Sequence, residues 1–146
     1  MSPIVRKGWT IYYHPLFAED LNDLFNKVSR LKDKLSEPAF NCHADTKLFK
    51  ALLLGIEEKI PDNPLAYYFA LQAPLNRYCR LKKMGLPERY RLFFKVYKDR
   101  NTIVILWLGF PRREGDKKDC YEVFKRKVAK NEFPEDVDTL IAECEQ

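Results

Sequence analysis

Thr102–Phe110, reading TIVILWLGF, is apolar on both faces of an extended chain. Successive side chains of a strand point to opposite faces, so this segment is satisfied only when both are covered. It predicts a central strand. Two further strands precede it: Tyr78–Lys83, and Arg89–Tyr97 (RYRLFFKVY), with MGLPE and KDRN as the intervening turns. In the longer one, Tyr90, Leu92, Phe94 and Val96 share one face, while Arg89, Arg91, Phe93, Lys95 and Tyr97 share the other. Tyr78, Arg80 and Lys82 line one face of the shorter strand. Two neighbouring strands therefore project a basic and aromatic surface together.

Upstream, Gly8–His14 (GWTIYYH) alternates bulky and β-branched residues and predicts a first strand ending at Pro15. Leu16–Leu35 is an amphipathic helix, with Phe17, Leu21, Leu24, Val28, Leu31 and Leu35 recurring at steps of three and four. Ser36 is suited to cap a second helix with Pro38 in its first turn. That helix is expected to run to about Ile60, burying Phe40, Ala44, Leu48, Leu52, Leu53 and Ile56, and to end at Pro61. Pro61–Pro74 reads as a loop rich in proline and aromatics. After the central strand, Pro111–Lys118 is a basic loop. Asp119 caps a helix over Cys120–Lys130, with Glu122 completing a capping box, and a short helix follows over Pro134–Glu143. The fold class is α+β, a single domain spanning residues 1–146. A small antiparallel sheet in the order β-α-α-β-β-β-α carries the helical pair on one face and leaves the other open for binding.

Charge is segregated. Residues 1–75 carry nine Lys/Arg and nine Asp/Glu, residues 76–130 carry seventeen against six, and residues 131–146 form an acidic segment with six acids and no Lys or Arg. A basic block interleaved with Tyr and Phe is the footprint of a surface that meets phosphates. No apolar run reaches the length of a membrane span, and Met1–Lys7 leads into no apolar signal core. Cys42, Cys79, Cys120 and Cys144 form no Cys-x-x-Cys pair and have only His14 and His43 as companions. Free thiols in a reducing cytoplasm are the reading, with no metal site and no cofactor expected.

There is no Gly-rich phosphate loop, no serine nucleophile motif and no histidine in the basic block. His14 reads as a turn or surface histidine and His43 as a helix-surface one. Arg, Lys and Tyr remain, and these suffice for RNA. Its 2′-hydroxyl is a nucleophile already beside the scissile phosphate, so a protein need only align it, stabilise charge and manage two protons. Arginine suits the charge because its planar fork is always ionised, and Lys or Tyr can handle protons.

Taken together, GWTIYYHPLF, RYRLFFKVY with IVILW, the basic loop and DCYEVF resemble the YhaV-type toxins of the RelE superfamily, in the same order and from about Gly8 to Leu140. The resemblance implies a cytoplasmic toxin of a type II toxin–antitoxin pair, a metal-independent endoribonuclease (mRNA interferase) that cuts messenger RNA and arrests translation. It also implies a cognate PrlF-like antitoxin of the AbrB kind, through which alone the toxin would meet operator DNA. The superfamily's catalytic positions fall here on Arg80, Lys82 and Arg91, on Arg112 or Arg113, and on Tyr121. By that resemblance Arg80, Arg91 and Arg112 bind the scissile phosphate, while Lys82 or Tyr121 handles protons. Arg89, Arg113, Lys117 and Lys118 would hold flanking RNA, and Phe93 or Tyr97 would stack on a base. Tyr121 also shares a helical face with Phe124 and Val128, so a core role stands beside the catalytic one. Two other activities fit the same scaffold: a ParE-like toxin that binds DNA gyrase, and a non-catalytic RNA-binding module.

Overall fold

The computed structural model describes residues 1–109 and 119–145. A five-stranded sheet runs in the order β1 (Ile4–Arg6), β2 (Trp9–Tyr13), β5 (Thr102–Gly109), β4 (Arg91–Tyr97), β3 (Cys79–Leu81). β5 lies in the middle, as its two apolar faces require, and Ile103, Val104, Ile105 and Leu106 have no exposed surface. The fold is α+β, but the sheet is mixed rather than antiparallel: β2 pairs parallel to β5, Thr10 opposite Thr102 and Tyr13 opposite Ile105. The chain leaves β2 into a helix instead of a hairpin, so nothing local forces the next partner of β2 to run antiparallel. β1 adds an unexpected edge strand. Its hairpin turns at Lys7–Gly8, both left-handed at φ +52° and +84°, the backbone of a two-residue turn in which Gly8 is at ease.

α1 (Pro15–Lys34) buries Phe17, Leu21 and Val28, on the predicted stripe, with Phe17 and Leu21 in the first core. The expected second helix is broken into pieces. α2 (Glu37–Cys42) stops at His43, whose backbone is extended, and whose Nδ1 accepts from the Asp45 N–H at 3.1 Å to start α3 (Ala44–Leu54). The break turns Ala44 to solvent while Leu48, Leu52 and Ile56 remain buried. At Gly55–Lys59 the helix widens into a π turn, and α4 (Ile60–Asp62) carries Pro61 inside it rather than ending before it. A Cβ on Gly55 would stand 2.5 Å from the Leu81 side chain, so glycine lets this turn lie against β3. Among the described residues no helix is long and apolar enough to cross a membrane.

The second face of the sheet is not open, contrary to expectation. α5 (Cys120–Ala129), α6 (Val137–Cys144) and Phe133 cover it, enclosing Tyr78, Phe93, Val104, Leu106, Phe124 and Leu140. A bulge assists. Phe93 pairs with Trp107 and Phe94 with Ile105, so Leu106 is the extra residue, and Leu106 and Trp107 both turn toward this second core. Phe93 stacks on Phe124 with centroids 4.2 Å apart. The acidic segment docks through burial of Leu140 and Cys144 and, among the described residues, through four pairs: Arg77–Glu135 (2.7 Å), Arg100–Asp138 (2.6 Å), His14–Glu143 (3.2 Å) and Lys127–Glu132 (3.7 Å). His14 is thus no surface residue: it is 5% exposed, and its Nδ1 caps α1 by accepting from the Leu16 N–H at 3.2 Å.

Candidate active site

One end of the second face escapes the covering helices, and there the basic strands meet the first turn of α5. The approach depends on Gly109, the β5 partner of Arg91. A Cβ at Gly109 would lie 2.8 Å from the Cys120 Cβ and 3.0 Å from the Trp107 ring, so only glycine lets α5 begin so close to the sheet. Asp119 fixes the helix start, its Oδ1 accepting from the Tyr121 N–H at 3.1 Å. Tyr121 then lays its ring edge-on to Phe93, centroids 5.7 Å apart, and extends its hydroxyl toward the open end. The ring of Tyr121 thus packs in the core while its oxygen reaches the basic strands, as an amphipathic aromatic can.

That oxygen is the focus of the cluster. Arg80 Nε donates to it at 2.9 Å from β3, and Arg91 Nε donates at 3.2 Å from β4. Both phenol lone pairs are therefore engaged, and what the hydroxyl has left is its O–H donor. Each guanidinium is held at a second point, Arg80 by the Tyr68 carbonyl at 3.0 Å and Arg91 by the Tyr90 carbonyl at 2.8 Å. Among the described residues two of the five N–H groups of each arginine are so committed, which leaves three on each half-exposed side chain as charged donors. A cavity of about 280 Å³ opens beside them, lined by Ala70, Leu71, Gln72, Leu75, Arg80 and Tyr121. This arrangement suits a phosphodiester: positive charge for the anion and, beside it, a hydroxyl with its proton still to donate.

The other sequence-predicted residues scatter. Lys82 follows β3 and lines an adjoining hollow with Tyr68, Phe69, Lys83 and Met84. Arg89 is exposed in the turn before β4, at φ +74°. Phe93 has no exposed surface, and no base can stack on it. Tyr97 lies six residues along β4 from Arg91, roughly 20 Å away at strand rise. Its hydroxyl is buried with no hydrogen-bond partner among the described residues, burial pushes its pKa up to about 12, and its distance from Arg91 takes its ring away from this site. Arg112, Arg113, Lys117 and Lys118 lie outside the described residues. Among the described residues no three His, Cys, Asp or Glu side chains converge as metal ligands.

Sequence reasoning missed the contribution of the loop before β3. The short 3₁₀ turn Tyr67–Phe69 supplies the carbonyl that braces Arg80, and Leu71 and Gln72 form a wall of the cavity. Its aromatic richness was the available signal.

A family model described as a toxin with endonuclease activity, of a toxin–antitoxin system, matches residues 11–145. Over 146 residues the chain is 34% identical to the ribonuclease toxin YhaV of Escherichia coli strain K12, covering 95% of this chain and 94% of that protein. The toxin YhaV of E. coli O157:H7 matches at the same identity and coverage. Among solved structures, the toxin–antitoxin complex RelBE2 of Mycobacterium tuberculosis overlaps at a TM-score of 0.45 and 15% identity, over 77% of this chain and 100% of the other.

Proposed function

The chain belongs to the YhaV toxin family, endonuclease toxins of toxin–antitoxin systems, and on that premise we propose that it is an endoribonuclease that cuts messenger RNA at the Arg80–Arg91–Tyr121 cluster. The observation that carries the reading is the single phenol oxygen held between two arginine Nε donors. The RNA 2′-oxygen attacks the adjacent phosphorus as the bond from phosphorus to the 5′-oxygen breaks, leaving a 2′,3′-cyclic phosphate and a 5′-hydroxyl. The remaining N–H groups of Arg80 and Arg91 hold the phosphate oxygens, whose charge grows in the transition state. Tyr121 directs its O–H at the departing 5′-oxygen and gives it the proton that oxygen needs. The 2′-hydroxyl proton leaves to water, and Lys82, beside the cluster, favours that transfer by placing its positive charge near the oxygen that loses the proton. Arg112 or Arg113 would add a further positive charge, as the family resemblance implies. A partner that silences the toxin would cover this cationic end. An antitoxin of the PrlF and AbrB kind fits by charge complementarity if it presents an acidic segment.

The test is cleavage of a defined messenger RNA by the purified chain, with and without ribosomes, beside Arg91→Ala. The expected result is cutting that leaves 2′,3′-cyclic phosphate ends and that falls about 10²-fold or more in the variant. Equal cutting by Arg91→Ala would remove Arg91, and the cluster with it, from the chemistry.

A further inference from the structure

Phe93 is sealed away and Tyr97 lies far along β4, yet two other aromatics are exposed on the turn that braces Arg80. Tyr67 is 88% exposed and Tyr68 43%, both far above what a buried ring shows, while Phe69 beside them is 1% exposed and anchors the turn. Their rings step from solvent to core, Tyr67 to Tyr68 at 5.4 Å and Tyr68 to Phe69 at 4.6 Å, each pair edge-to-face. The turn is rigid where it matters. Ala70 bridges to Cys79 on β3, and the Tyr68 carbonyl accepts from Arg80 at 3.0 Å. Tyr68 thus belongs both to the arginine cluster and to the adjoining hollow of about 300 Å³ that it forms with Phe69, Lys82, Lys83 and Met84.

We propose that the Tyr67–Tyr68 turn and this hollow are a nucleobase-stacking subsite. It would hold a base of single-stranded RNA next to the scissile phosphate, with Lys82 and Lys83 on its backbone. An exposed aromatic platform flanked by cations is what single-stranded nucleic acid requires, because every base has a π-face and every linkage a charge. Between residues 63 and 91 there are six Lys/Arg and one acid, Glu88, so the surroundings complement an anion. Continuity with the phosphate cluster through the Arg80–Tyr68 hydrogen bond places the base one linkage or so from the cut. The inference rests on the ribonuclease reading for that last point alone.

The experiment uses a short single-stranded oligonucleotide of 2′-O-methyl residues, which cannot be cut, with 2-aminopurine placed at one position at a time. Wild-type protein should quench the fluorescence at one or two positions. Tyr67→Ala with Tyr68→Leu should lose that quenching and bind roughly 5- to 150-fold more weakly, the range of aromatic–base stacking. Tyr67→Phe with Tyr68→Phe should retain both. The Tyr68 carbonyl survives either change, so the brace on Arg80 remains. On cleavable RNA the Ala/Leu variant should raise KM while kcat holds. Wild-type quenching without any cutting would keep the subsite and remove the ribonuclease reading. Cutting with normal KM and undiminished quenching in the Ala/Leu variant would overturn the subsite alone and assign the exposed tyrosines to a protein partner.

Discussion

Tyr121→Phe removes one oxygen and leaves the ring. Its edge contact with Phe93 persists, so the second core keeps its packing. Two hydrogen bonds from guanidinium groups disappear, at 2.9 and 3.2 Å. Charged hydrogen bonds are worth about 1.5–3 kcal/mol when nothing replaces them, but both arginines are half-exposed and water can take the vacated place. The fold should therefore lose about 1 kcal/mol, a fall in Tm of about 3 °C for a chain of this size. Cleavage should suffer far more. A positioned proton donor contributes about 10²–10⁴-fold, and the arginines lose the point that fixes their Nε atoms. Single-turnover cleavage of a defined RNA, beside thermal unfolding followed by circular dichroism, separates the two effects. Cleavage within about threefold of wild type would refute the mechanism, and a Tm fall above about 10 °C would show that the oxygen is chiefly structural.

The His14 site makes stability depend on pH. Burial lowers its pKa below the ordinary 6.5, against the opposing pull of Glu143, and its Nδ1 accepts from Leu16 N–H only while unprotonated. The unfolded chain therefore binds a proton that the folded chain refuses; Tm should hold above about pH 6.5 and fall below it. His14→Asn, which keeps a cap, should flatten that slope. Gly109→Ala should push α5 from the sheet, costing about 1–3 kcal/mol and lowering cleavage, both measurable on the purified variant. Burial pushes the Cys79 thiol to about 11 and the Cys144 thiol to about 12, while Cys42 is exposed. Mass spectrometry after brief iodoacetamide treatment at pH 8 should find Cys42 labelled before either.

What could be read from the sequence depended on periodicity. The two-faced apolarity of Thr102–Phe110 places β5 at the centre. The stripe of α1 and the alternation in β4 assign Leu92 and Phe94 to one core and Phe93 to the opposite face. Alternation says which face a side chain takes, but not what will cover that face. Phe93 and Tyr97 therefore read as binding residues until the second core is seen to enclose Phe93 and the Tyr97 hydroxyl. Arg80 and Arg91 read as neighbours because adjacent strands bring them together. Their meeting with Tyr121, 41 and 30 residues away, is a tertiary event. It needs β3, β4 and α5 in place together, and a glycine at 109 to let the helix approach. The same holds for the parallel pairing of β2 with β5 and for the burial of His14. Local residue chemistry selects elements, faces and caps; partners distant in sequence are chosen by packing, where the energies of the whole core decide.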